Sequence, residues 1–337
     1  MLHKVYGRPP KKAAQGPQGR PFYYVLKKGQ GRERLLISPL PGEKVLAAGQ
    51  HPGDHNFVLP HGKRILIFEP HADDAAITIG DLLRQLKAAK NRLWIVNLIS
   101  CHLGIDGALP ANKKKQIRDA EDRKYARQIG AQICFLRLEF PYDKINLRFN
   151  QADGSWDLKH CRFGQPQPAD FAKTYRTLSR LKPEVVLLPH PFEHHQMHAD
   201  SSALALDAIA RYLPQRPDLR LFFYGRDYHY FGVSTNIYNL LNLQRTAAKV
   251  KLIRTFRSQV APWNAYLSQY YFPPGQNPGK DKLDAALGEF LLDRLNAKER
   301  RRFGALLKRE RLAPHYCERL IEFTLPSVKF DEGGAKC

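Results

Sequence analysis

The chain is short of cysteine and short of acid. Its five cysteines, Cys101, Cys134, Cys161, Cys317 and Cys337, are scattered over 337 residues without a Cys-x-x-Cys pair, which argues against a disulfide framework and against a thiolate zinc site. A reducing, cytoplasmic setting is the expectation. Apolar runs of about 18 residues are missing as well, and the basic start MLHKVYGRPPKKAAQG carries no apolar core of leader length. No internal repeat is present. Against 32 Asp and Glu stand 54 Lys and Arg, a net charge of +22 that favours polyanions, anionic membrane surfaces and acidic substrates.

The positive excess is widespread, with concentrations at Lys113 to Lys115, Lys298 to Arg302 and Lys308 to Arg311. Solvated helical faces account for such runs, since Lys and Arg are good helix formers in exposed positions. No base-reading motif accompanies them, so no specific nucleic acid is predicted as a partner. Nothing in the sequence sets an oligomeric state. A hydrophobic content of 43% is enough for a sizeable core. Residues 1–20 read as a basic tail, and 21–62 as an N-terminal extension with short strands at Phe22 to Leu26 and Leu35 to Leu40.

From Arg64 the pattern alternates. Strands are predicted at Arg64 to Phe68, Leu93 to Ile99, Ile133 to Leu138, Val185 to Leu188 and Leu221 to Tyr224; helices between them fall at Ala75 to Ala89, Lys113 to Ile129, Phe171 to Leu181 and Ser201 to Tyr212. Such alternation predicts an α/β fold, a Rossmann-like and mostly parallel sheet flanked by helices, with additional N-terminal strands and C-terminal helices. The C-terminal helices are expected at Leu240 to Gln259, Leu283 to Leu295 and Ala297 to Leu307. The domain proper is read as 63–265, followed by a basic helical extension, 266–337. The glycine-rich dinucleotide fingerprint is absent after the first of these strands, where Pro70-His71-Ala72-Asp73-Asp74 stands instead, so no nucleotide cofactor is expected.

Two strand ends carry the chemistry. In RILIFEPHADDAAITI an apolar run stops at Pro70 and delivers His71, Asp73 and Asp74; in PHPFEHHQMHAD a second buried strand is followed by His190, His194, His195 and His198. Carboxyl ends of parallel strands are where open α/β sheets bind ligands. A catalytic zinc-type ion takes about three His or carboxylate ligands and keeps a position open for water, and His71, Asp74 and His198 supply that number. Asp73 then remains for acid–base work. The competing reading of the first segment is a helix capped by Asp73 or Asp74, and that of the second is a loop of exposed histidines.

These residues resemble the PIG-L, or LmbE-like, superfamily of zinc-dependent de-N-acetylases, whose first motif is written (A/P)HPDDE and whose second is HPDH or HxxH. Here the first reads Pro70-His71-Ala72-Asp73-Asp74-Ala75 and the second His195-Gln196-Met197-His198. Arg118 and Glu121 are similar to the family's RxxE helix, and Ser258-Gln259 to its late SQ element; the resemblance spans about Lys63 to Val260. It implies Zn2+, with another divalent transition metal able to use the same donors, on His71, Asp74 and His198. Asp73 is then the general base, and His195 the group that stabilises the oxyanion or protonates the leaving amine.

By the same resemblance the substrate is an N-acetylated sugar or glycoconjugate, and the positive charge suits an anionic or lipid-linked one. Substrate-binding candidates are Ser100, Arg118 and Asp143; an ordinary Arg118–Glu121 surface pair is the alternative for the second of these. Two departures stand out. Ala75 replaces a Glu that is not a ligand, and Met197 replaces an Asp that tunes the acidic histidine, a loss worth ~10 to 100-fold in affinity or activity. A binding protein that keeps the pocket without catalysis is therefore a second reading, and nucleic-acid binding through the basic tails a third.

Overall fold

A computed structural model describes residues 22–28, 31–40, 44–46, 57–71, 73–99, 109–138, 149–150, 155–156, 167–190, 196–225, 235–270, 272, 279–309, 316–325 and 329–331. Strands β1 (Phe22–Lys28), β2 (Gly31–Pro39) and β3 (Lys44–Leu46) precede the alternating region. That region holds β4 (Arg64–Glu69), α1 (Asp74–Ala88), β5 (Arg92–Asn97), α2 (Ala111–Ile129) and β6 (Gln132–Phe135). After the small pair β7 (Phe149–Asn150) and β8 (Ser155–Trp156) come α3 (Pro168–Leu181), β9 (Val185–Pro189), α4 (Gln196–Tyr212) and β10 (Arg220–Tyr224). The remainder comprises β11 (Ile237–Leu241), α5 (Leu243–Ile253), α6 (Arg257–Tyr270), α7 (Lys280–Leu291), α8 (Ala297–Arg302), α9 (Gly304–Arg309), β12 (Tyr316–Thr324) and β13 (Lys329–Asp331).

The α/β expectation holds. The central strands lie in the order β6-β5-β4-β9-β10 and are all parallel, and antiparallel β12 extends the sheet beyond β10 toward β2 and β1. From β4 the chain winds outward through β5 and β6, then returns to the other side of β4 with β9. The order therefore reverses between β4 and β9, the switch point at which a crevice opens above the strand ends.

Period-two alternation builds both cores. In β4, Ile65 and Ile67 join the apolar cluster that includes α1, α2 and α5, whereas Leu66 and Phe68 join the one that includes α3 and α4. All four are completely buried, each stabilising by roughly 1.5–3 kcal/mol. Val185 and Leu187 versus Val186 and Leu188 divide in the same way in β9. A strand covered on both faces has no room for a polar side chain until it ends.

The C-terminal third differs from the sequence expectation in three places. The helix expected at Leu240 to Gln259 is instead the end of β11, then α5 capped by Asn242 Oδ1 accepting from Arg245 N–H at 2.8 Å, then α6. The interruption before α6 lets Phe256 turn fully into the core against Tyr125, at 5.3 Å between ring centroids. The helix expected at Ala297 to Leu307 is divided at Phe303 into α8 and α9. Strand β12 is not expected from the sequence because adjacent Glu318 and Arg319 put a charge on each of its faces, yet it is buried on both. Arg319 pairs with Asp293 and Glu299, and Glu322 with Lys44 and Arg220.

Behind the site, Asn91 closes the α1–β5 turn onto the start of β4. Its amide donates to the Pro60 and Leu86 carbonyls at 2.6 and 2.7 Å, and its Oδ1 accepts from Lys63 N–H at 2.8 Å. Asn91→Ala leaves these buried groups without that partner and is expected to lower the unfolding free energy by about 1–3 kcal/mol in urea titration. An unchanged midpoint and slope would show that the three bonds contribute nothing.

Candidate metal centre

At the end of β4, Pro70 has no N–H to continue the ladder, and the chain turns into α1 within four residues. Both competing readings of Asp73 and Asp74 can now be weighed. Asp73 sits at the N-cap position of α1, yet its side chain makes no capping hydrogen bond. The N-terminal amide of Ala75 is taken by Glu69, whose fully buried Oε1 accepts from it at 3.1 Å. Asp74 is committed to the turn itself, its Oδ2 accepting from His71 N–H at 2.7 Å. With Glu69 acting as the cap, both aspartates face the crevice chemistry.

His198 reaches the same point from β9. Sequence reading starts the following helix at Ser201, but α4 begins at Gln196, which places His198 in its first turn and fixes the backbone that carries the ring. His71 Nδ1 lies 3.1 Å from Asp74 Oδ2 and 3.2 Å from His198 Nε2, and His198 Nε2 lies 3.1 Å from Asp74 Oδ1. Three donor atoms bound tetrahedrally to one zinc at ~2.0–2.1 Å stand about 3.3 Å apart. The residues thus fit such an ion in donor type and number, one donor atom from each lying within 4.8 Å of the others. They form the one His/Cys/Asp/Glu group with that convergence among the described residues.

A second set of contacts surrounds Asp73. Arg118, on α2, brings Nη2 to 3.6 Å from Asp73 Oδ1, and its Nη1 lies 3.9 Å from Glu121 and 3.5 Å from Ser258 Oγ. Glu121 in turn accepts from Ser258 N–H at 2.8 Å and from its hydroxyl at 2.6 Å. The Arg118–Glu121 helix and the Ser258-Gln259 element, separate in the sequence, therefore meet behind Asp73. Arg118 and Glu121 are buried, which removes the surface-pair alternative. His195, Ser100 and Asp143 lie outside the described residues. Tyr224 of β10 is buried and its hydroxyl donates to the Phe68 carbonyl at 2.6 Å, a structural role between β10 and β4.

Electrostatics separates the acids. Burial works against ionisation of Asp74, but His198 and then His71 outweigh it and hold the carboxyl well below its usual range. Glu69 is pushed well above its usual range by burial, with Asp122, Asp74 and Asp73 adding like charge. Asp122 is raised by burial too, opposed by Arg118 and reinforced by Asp73, Asp119 and Glu121. Sequence reading missed Glu69 and Asp122. The signal for Glu69 was an acid at the last position of an otherwise apolar strand.

The fold and these residues define an α/β protein with a His-Asp-His group able to hold a metal ion at a topological switch point. Residues 66–209 match the model of the PIG-L family, described as GlcNAc-PI de-N-acetylase. No curated protein sequence matches the chain. Among solved structures, it is similar to N,N'-diacetylchitobiose deacetylase from Pyrococcus horikoshii, with 20% identity, 77% of this chain and 83% of that chain covered, and a TM-score of 0.48. It is also similar to teicoplanin deacetylase Orf2 in a zinc-inhibited form, with 13% identity, 80% and 100% covered, and a TM-score of 0.48. A third similar structure is the 4-carboxy-2-hydroxymuconate hydratase GalB from Pseudomonas putida, with 15% identity, 80% and 100% covered, and a TM-score of 0.45.

His190, which follows β9, is wholly buried, with Phe223 edge-on to its ring at 5.1 Å; burial lowers its pKa to about 3. The unfolded chain takes up that proton near pH ~6.5, so between these values the unfolded state binds the extra proton. The stability is complete above ~6.5 and falls as the pH drops, by about 2 kcal/mol at pH ~5 from this residue. His190→Gln is expected to show a correspondingly shallower decline in unfolding free energy between these pH values. An identical decline would remove His190 from the acid response.

Proposed function

We propose that this protein is a metal-dependent hydrolase that removes the N-acetyl group from an N-acetylated sugar or glycoconjugate. The observation that carries the reading is the convergence of His71, Asp74 and His198 at 3.1–3.2 Å beside a buried Asp73 that neither caps the helix nor joins the three donors. A zinc-type ion held there supplies a water acidified toward pKa ~7 and an electrophile for the carbonyl oxygen. Asp73 takes the proton from the attacking water, and the Arg118 guanidinium at 3.6 Å directs its carboxylate. His195, by family resemblance, stabilises the oxyanion or gives the departing amine its proton.

The substrate class draws support from the family match, whose description names a GlcNAc-linked amide. The relatives described as deacetylating N,N'-diacetylchitobiose and teicoplanin are consistent with it. Ser100, Arg118 and Asp143 are the proposed substrate contacts, and the +22 charge favours an anionic or lipid-linked acceptor. No helix among the described residues is long and apolar enough to cross a membrane.

Purified protein is expected to take up stoichiometric zinc and to release acetate from N-acetylated sugars. In His71→Ala the zinc is lost; in Asp73→Asn it is retained while acetate release falls by at least ~10²-fold. A wild-type chain that takes up no divalent metal, or an Asp73→Asn variant of undiminished rate, would sink the proposal.

A further inference from the structure

Helix α1 is broken. Ile79 leaves the helical region at φ −129° and ψ 20°, separating a first turn, which carries Asp74, from the longer remainder that starts at Gly80. The break is filled by an ion pair from two distant elements. Glu318 of β12 accepts from Asp81 N–H at 2.9 Å and from Leu82 N–H at 2.8 Å, the two amides that an unbroken helix would aim at Ile77 and Thr78. Lys249 of α5 donates to the Thr78 carbonyl at 3.0 Å, and its Nζ lies 2.6 Å from Glu318 Oε1. Cation and anion thus each satisfy the backbone terminus that the break exposes, the carboxylate on free amides and the ammonium on a free carbonyl.

Both side chains are inaccessible to water, 1% and 0% exposed, so the pair is committed to this position. Asn239, directly opposite Glu318 across the β11–β12 ladder, donates to Glu318 Oε2 at 2.8 Å and to Asp81 at 3.2 Å, and Arg245 also pairs with Asp81. Gly80 permits the close approach. A Cβ there would meet Leu252 of α5 at 3.2 Å, tighter than ordinary packing.

We propose that Lys249 and Glu318 are positioning residues for the metal centre, setting the direction of the first turn of α1 and hence of Asp73 and Asp74. A single helical turn does not hold itself in water. This one is fixed at its start by Glu69 on Ala75 N–H and at its end by Lys249 on the Thr78 carbonyl. Removing the second anchor lets the broken helix straighten or fray and carries Asp74 off the point where it meets His71 and His198. The inference rests on the metal reading above and extends it to β12, which lies outside the family-matched segment.

The test is cobalt binding, read from its visible absorption spectrum in the full chain, together with thermal melting. Lys249→Met with Glu318→Gln removes both charges and keeps one amide oxygen where the carboxylate offered two acceptors to the Asp81 and Leu82 amides. Lys249→Met with Glu318→Leu removes the acceptor as well. Both double variants lack the donor to the Thr78 carbonyl and are expected to bind cobalt at least ~10-fold more weakly than wild type, the range seen for outer-shell partners of metal ligands. Equal, wild-type-like affinity in both variants overturns the proposal.

Hydrogen exchange on the wild type needs no variant. By reciprocity, saturating cobalt should slow exchange at Asp81 and Leu82 by the factor that loss of their acceptor costs in affinity. Unchanged exchange at those amides on cobalt saturation overturns the proposal. Absence of cobalt uptake by the wild type overturns the metal reading itself, and this inference with it.

Discussion

The double-sided burial of β4 is the constraint from which the rest follows. Its four apolar residues are shared between two cores, and both its edges are occupied by parallel neighbours, β5 and β9. No polar group fits anywhere along it except at the carboxyl end, and the reversal of strand order opens space at that end. The side chains of the candidate metal centre therefore gather where β4 and β9 leave the sheet. The two strands lie side by side in register at Ile65↔Val185 through Ile67↔Leu187, so His71 and His198 arrive together although 127 positions separate them.

Crowding acids at a buried point is costly unless their charges are sorted. Glu69, Asp73, Asp74 and Asp122 all act on one another here, against His71, His198 and Arg118. The outcome is a division: Asp74, between two imidazoles, is favoured as a carboxylate, while Glu69 and Asp122, deeper in the protein, are disfavoured as charged groups. Divergent environments for neighbouring acids accompany divergent roles. At Glu69 burial and neighbouring acids prevail over the Ala75 amide, which alone favours the charged form. Adding a divalent cation at the His71–Asp74–His198 point would reinforce the ionised state of Asp74.

How far the sequence spoke depended on the range of the interaction. The strand run Arg64 to Phe68, its stop at Pro70 and the pair His71 and Asp74 are local signals, and the structure brings these two side chains together with His198. His198 was legible as a donor but not as a helical residue, because nothing in PHPFEHHQMHAD marks Gln196 as a start. Period-two and period-3.6 patterns gave the parallel core. Strand β12 escaped because Glu318 and Arg319 place charge on both of its faces, and those charges pair across long separations, Glu318 with Lys249 and Glu322 with Lys44. The break in α1 was likewise invisible, since AAITIGDLLRQL keeps its helical pattern through Gly80 and the cause of the break lies 237 positions away.

This distribution bears on what the family-matched segment means. Residues 66–209 contain the three donors and Asp73, with Glu69 and Arg118 beside them, but not every group that contacts their surroundings. Ser258 of α6 secures Glu121 beside Arg118, Lys249 of α5 closes the first turn of α1, and Glu318 of β12 caps its continuation. Each is a buried polar contact whose partner would otherwise lie unsatisfied in a core, so each element is bound to the centre by the cost of leaving it. The segment carrying the motifs is therefore not self-sufficient as a site. Substitutions in the C-terminal third can alter the geometry at Asp73 and Asp74 without approaching the crevice, and the centre belongs to the whole sheet rather than to the strand ends alone.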